Sequence, residues 1–457
     1  MTRIVVASRL VAAAVIAVGA GAAVTGGVAF GWMPHVVAPA VQKVTPAAAD
    51  AVLTCSGPLL AIGRDATAAA KISVAGAAAV TVAGQNVTQG RLKTPDISGE
   101  AGSVRLVASA KGRTVPQVSG ASSVSIAADD LGGFAANACA PALMDSWVVG
   151  GSTMSGAADL IALANPGQVA ATVDLTMFGK DGQTQPAGGN SIVIAPGTEE
   201  VIPLAGLGIG EDAPVVRVTA TGAPVRAALQ SSLSRGLSTS GVDQSGVVSV
   251  ASSRLVVTGV HVTREQQDDP TTVVRLLAPD HDATAQVTVV GVHGTTGPAQ
   301  QVPLSQGTPV ELQLPLAVGD YSIVVTADKP VVGAAWQATG TAAGDDFTWI
   351  EPAPALAAGR QGTQVTVPAG PSPRLDLLPD GSQPVKLTLA PVGGGAAQTV
   401  TVPAQQASSV PLQAGLSYRI TATGAVHAAV SFVGDKALAS FPVWPPATAA
   451  APVTVYR

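Results

Sequence analysis

Leu160-Ile161-Ala162-Leu163-Ala164-Asn165-Pro166 is one of three versions of a single phrase in this chain. It returns as Val274-Arg275-Leu276-Leu277-Ala278-Pro279-Asp280 and again as Leu375-Asp376-Leu377-Leu378-Pro379-Asp380-Gly381. Each opening has a matching close, in Val216-Arg217-Val218-Thr219-Ala220, Ile323-Val324-Val325-Thr326-Ala327 and Tyr418-Arg419-Ile420-Thr421-Ala422. Short aliphatic and β-branched runs that end at proline are strand chemistry, and their repetition predicts tandem modules.

Working outward from these phrases, prolines mark where strands begin and end, because proline cannot donate to a central ladder. Pro196 and Pro203 bracket one pair of short strands, Pro303 and Pro315 a second, Pro403 and Pro411 a third, while Asp181-Gly182 and Asp380-Gly381 supply turns. Ala425 stands where the first two copies have Pro224 and Pro330. Weaker alternation in Lys71-Ile72-Ser73-Val74, Ala79-Val80-Thr81-Val82 and Ser103-Val104-Arg105-Leu106-Val107 suggests a fourth, divergent copy. The alanines from Ala66 to Ala70 do not make a helix, since no 3.6-residue apolar stripe accompanies them.

The expected fold is all-β: tandem immunoglobulin-like antiparallel β-sandwich modules after an N-terminal transmembrane helix. The expected boundaries are a membrane anchor or signal segment over 1–32, a linker over 33–49, a divergent module over 50–145, and modules over 146–250, 251–360 and 361–457. Two packed antiparallel sheets are the economical way to bury one face of each strand.

Composition agrees. A length of 457 residues needs several cores, and 12% charged residues with 51 Gly and 34 Pro suit turn-rich β structure. The 47% hydrophobic content and net charge of −5 argue against disorder. The 24 basic residues form no cluster, so nucleic acid is not an expected partner.

Arg3 and Arg9 precede an uncharged run from Leu10 to Phe30, followed by Gly31-Trp32. At 1.5 Å per residue a helix of that length spans about 30 Å, the thickness of a bilayer core. The run reads as a retained anchor with the N-terminus cytoplasmic and the remainder outside. A cleaved signal is the alternative, with Ala-x-Ala sites at Ala20 to Ala22 and Ala47 to Ala49, and would make the protein secreted. A buried helix of a soluble domain is a further reading, disfavoured because nothing polar makes a second face. The two cysteines, Cys55 and Cys139, read as a disulfide in an exported chain or as two free buried thiols.

Ala138-Cys139-Ala140-Pro141, Ser146-Trp147-Val148-Val149-Gly150-Gly151, Leu160 to Gly167, Val173-Asp174-Leu175 and Asp181-Gly182 follow one another in an order that resembles a family of exported actinobacterial proteins of unknown function. That family has an N-terminal membrane segment and Ala/Val-rich β-domains. The resemblance covers roughly residues 50–450. It implies a cell-envelope location and an all-β exterior, and it brings no catalytic residues with it.

Common nucleophile, zinc and nucleotide motifs are missing, so neither an enzyme nor a cofactor is expected. His261, His281 and His293 lie near Asp268, Asp269, Asp280 and Asp282 in the sequence, and Asp280-His281-Asp282 reads as a solvated turn or, more weakly, as a divalent cation site. Trp147, Trp336, Trp349 and Trp444 are scarce aromatics that serve as core, or as a glycan platform if exposed. Trp349 and Trp336 with Asp345 and Asp346 are the candidates for glycan binding. The leading function is a non-catalytic envelope protein whose β-modules act as scaffold or interaction surface, touching the membrane through its helix and an envelope glycan or protein through its modules. The alternative is a cell-wall or capsular glycan-binding protein assisting an envelope-biosynthesis enzyme. A catalytic role would need a polar pocket, for which only the region from Asp280 to His293 is a candidate.

Overall fold

The computed structural model describes residues 2–29, 41–64, 67, 68, 70–97, 99, 102–236, 238–264, 271–447 and 451–456. They form two compact units, one from the two chain ends and one from Ala48–Thr448. Phe30, Trp32, the first part of the expected linker, Asp268, Asp269 and Arg457 lie outside the described residues.

The first unit contains α1 (Thr2–Ala29) and a two-stranded antiparallel ladder in which Val41–Val44 pairs with Val453–Tyr456. Within α1 the run Arg9–Gly26 is long and apolar enough to cross a membrane, and none of it is buried.

The second unit is built of antiparallel ladders. Residues 145–245 make two sheets. One orders Asp145–Val149, Val215–Thr221, Ala171–Gly179 and Gly182–Thr184; the other orders Glu199–Pro203, Leu160–Ala164, Arg226–Arg235 and Ser238–Ser245. Residues 355–442 repeat that order, with Gln398–Val402 as the single outer strand of one sheet and the short Ala355–Leu356 added to the other. Residues 252–350 repeat it with one difference: Gly319–Ala338 is a single strand that runs through both sheets, with Pro330 inside it. Residues 51–138 carry a shortened version, with a hairpin of Leu59–Ile62 and Ile72–Gly76 added.

Side chains from both sheets interdigitate within a module. Ile161, Leu163, Val173, Leu175, Val216, Val218 and Leu229 share one core, and Val257, Val274, Leu276, Val287, Ile323 and Ile350 share another. The opening phrase of the repeat is a central strand: Leu160–Ala164 pairs with Glu199–Pro203 on one side and Arg226–Arg235 on the other. Both of its faces are covered. Ile161 and Leu163 fill their own module, while Leu160 packs on Leu60 and Ile97 of the preceding one. A strand buried on both faces is apolar without strict alternation.

The four modules close on one another. The last strand of each, Gly132–Ala138, Ser238–Ser245, Phe347–Ile350 and Ala437–Pro442, stands beside the next around a common axis, and the fourth returns to the first. Asp346, 1% exposed, is the hub. Its Oδ2 accepts the N–H groups of Phe134 at 2.9 Å and Leu438 at 3.1 Å, and its Oδ1 accepts that of Val242 at 3.1 Å, so one carboxylate from the third module binds the backbones of the other three. Gly133 (φ 141°) and Gly241 (φ 108°) make this possible, since a Cβ on either would come within 2.5 and 2.9 Å of Asp346 Oδ1.

Cys55 and Cys139 are disulfide-bonded and buried, fastening the first strand of the first module to the end of its last. Gly120 leaves the room, because a Cβ there would meet Cys139 Sγ at 2.7 Å. The bridge closes a separation of 84 residues, which on the chain-entropy model contributes about 4–5 kcal/mol. Replacing both cysteines with serine should therefore lower the unfolding free energy by about that amount, read from urea midpoints, with reductant reproducing the loss in the parent protein. An unchanged midpoint would mean that the loop is already constrained when unfolded.

Candidate functional site

Two module interfaces gather chemistry. Between the third and fourth modules, His261 Nδ1 lies 2.7 Å from Asp320 Oδ1 and its Nε2 lies 2.8 Å from Ser431 Oγ. In outline this is a Ser-His-Asp line, but its surroundings give it different chemistry. Asp376 Oδ2 approaches the same Nε2 at 3.2 Å and accepts the Ser431 hydroxyl proton. Burial alone would lower the basicity of His261, yet the carboxylates of Asp376 and Asp320 outweigh it and raise the pKa to about 9. An imidazolium cannot take a proton from serine near neutrality, and Ser431 is fully buried. The cluster is an ion clamp across the interface. The hydrogen bond from His261, with its imidazolium charge, holds the Asp320 carboxyl below the usual range, and Arg374 Nη1 joins it at 3.2 Å.

Between the second and third modules lies an open cleft of about 380 Å³. Its floor is one face of a sheet of the third module, where strand alternation brings Val273 and Arg275, Glu311, Trp336, and Phe347 and Trp349 to the same side. Arg275 secures the wall. Its Nη1 donates to Gly151 O at 2.8 Å and Pro214 O at 2.9 Å, its Nη2 to Glu311 Oε1 at 2.8 Å, and its guanidinium stacks 4.6 Å from the Trp349 ring. Asp159, which the second module contributes to the lining, has its pKa raised to about 6 by burial, against the N–H groups of Ser152 (2.7 Å) and Ser232 (3.0 Å) that favour its charged form.

The sequence-nominated residues separate accordingly. Trp349 is 5% exposed and covered by Arg275, whereas Trp336, its cross-strand partner, is half-buried and lines the cleft. Asp345 caps the turn before Phe347, accepting the Ala342 N–H at 2.8 Å, and Arg264 pairs with it at 3.2 Å. Asp346 is the hub and faces the central axis. Asp280, His281 and Asp282 sit on an exposed turn, where Asp282 accepts the Gln306 N–H at 2.7 Å, and His261 belongs to the clamp instead. Among the described residues no three His, Cys, Asp or Glu side chains are grouped to hold a metal ion. Sequence reading missed the clamp and the roles of Arg275 and Asp159. A signal existed: Arg275 and Asp376 are the charged residues inside otherwise apolar central strands, at positions equivalent to Ala162.

A model of a family of unknown function, DUF5719, matches residues 93–414. The chain belongs to the DUF5719 family. The matched range takes in the cleft, Asp346, His261 and Asp376, while Cys55 and Ser431 lie outside it. No curated protein matches this DUF5719 chain.

Proposed function

We propose that this protein is a non-catalytic envelope scaffold, anchored by α1 with its N-terminus cytoplasmic and presenting the four-module body outside the membrane. The observation that carries the reading is the pairing of an apolar, unburied helix behind Arg3 and Arg9 with a disulfide in the first module. The closed ring adds to it. Modules tied through a common carboxylate move as one body, which suits a platform rather than a flexible string. The cluster around His261 is spent on holding two modules together, which supports a structural role for its residues.

Carbonate-washed membranes should retain the full chain, and protease added to wall-stripped cells should remove a C-terminal tag while sparing an N-terminal one. Mature protein free in the medium and starting near Asp50 would establish a cleaved signal, and a protected C-terminal tag would reverse the orientation.

A further inference from the structure

We propose that the cleft between the second and third modules binds a neutral saccharide, with Trp336 as its stacking platform. The site is independent of how the chain is anchored. Four observations lead to it. The first is the exposure of the rings: Trp147 and Trp349 are 4% and 5% exposed, each beneath an arginine guanidinium, whereas Trp336 is half-buried and borders open space. An indole face so placed accepts the apolar face of a sugar ring.

The second is the floor itself. Its strands are already paired within their ladders, Val273 opposite Trp336 and Trp336 opposite Trp349, so a ligand is read by side chains and not by strand addition. That disfavours an extended peptide. The third is the polar lining, in which exposed Asp212, Glu311 and Arg235 stand beside Ser152 and Ser232. Donors and acceptors are mixed, as sugar hydroxyls require, since each hydroxyl both gives and takes a hydrogen bond. The carboxylates of Asp159, Asp212 and Glu311 outnumber the guanidiniums of Arg235 and Arg275, which disfavours a polyanionic glycan. The fourth is size: about 380 Å³ falls in the range of small-ligand pockets, roughly 300–1,000 Å³.

The test uses the full chain in a detergent without a sugar headgroup, titrated with maltohexaose, cellohexaose and mannohexaose, and with hexagalacturonate as the anionic comparison. At least one neutral hexasaccharide should shift the tryptophan emission saturably and bind more tightly than hexagalacturonate. Trp336→Ala should weaken that binding about tenfold, Trp336→Phe should keep it within about threefold, and Trp444→Ala should leave it unchanged. If Trp336→Ala does not fold, as judged by its thermal transition, Asp212→Asn is the second variant and should weaken binding several-fold. Failure of all three neutral probes, binding that survives both variants, or tighter binding of hexagalacturonate would overturn the proposal.

Discussion

Asp346→Ala should destabilise the whole four-module body, not the third module alone. The substitution leaves the N–H groups of Phe134, Val242 and Leu438 without their acceptor, in three different modules at the closed axis. Each orphaned buried donor costs about 1–3 kcal/mol, so the sum is roughly 3–9 kcal/mol, comparable with the whole stability of a typical domain at about 5–15 kcal/mol. Asp346→Asn should fall between, because the amide keeps one acceptor oxygen but turns an NH₂ toward backbone donors. Urea unfolding followed by tryptophan fluorescence measures both. The parent should unfold in one transition, and the alanine variant should unfold at much lower urea or in separate steps. A loss below about 0.5 kcal/mol would show that the hub does not join the modules.

Stability should fall steadily as pH rises from about 4 to about 9. Burial pushes the Asp346 carboxyl from 3.8 up to about 7, even though backbone N–H groups oppose it, and burial likewise lifts Glu351 from 4.5 to about 7. Asp159, Asp243 and Glu199 are raised by burial in the same direction. A carboxyl with a raised folded pKa binds more protons in the native state, so stability declines between the unfolded and folded pKa values as pH rises. His261 acts with the same sign at higher pH. Its folded pKa of about 9 lies above the ordinary 6.5, so the clamp with Asp320 and Asp376 is fully present below about 6.5 and is lost through about 9. The opposite sign belongs to Asp130, Asp320 and Asp380, whose depressed carboxyls cost stability only as pH falls below their usual range.

Glu351 isolates the effect, since it is 3% exposed and burial outweighs the nearby backbone N–H groups of Gly246 and Glu351 and the charge of Arg226. Glu351→Gln should be near neutral at pH 4, where the parent residue is already uncharged, and should stabilise by about 3 kcal/mol at pH 8. Urea midpoints at the two pH values decide it. A variant equally affected at both would mean that Glu351 does not titrate on unfolding.

The sequence by itself determined the all-β class, the repeat and the apolar N-terminal helix, because these rest on local chemistry: period-2 burial, proline at strand ends, and an uncharged run of bilayer length. The central-strand phrases at Leu160, Val274 and Leu375 are legible because a doubly covered strand is apolar wherever it sits. What those phrases could not reveal is the meaning of the position at which their charge varies. Ala162, Arg275 and Asp376 are equivalent in the repeat, but each faces outward onto a different neighbour, and only the packing of modules makes Arg275 a brace across the second interface and Asp376 half of the clamp across the third. Asp345-Asp346 next to Trp349 looked like a binding surface because adjacent residues in a chain share a neighbourhood. The fold gave Asp346 to the central axis, Trp349 to the underside of Arg275 and the open cleft to Trp336, because burial at an interface depends on contacts between residues far apart in sequence. Local pattern fixes which face of a strand is apolar; the partner that covers the other face is decided only when four modules close into a ring.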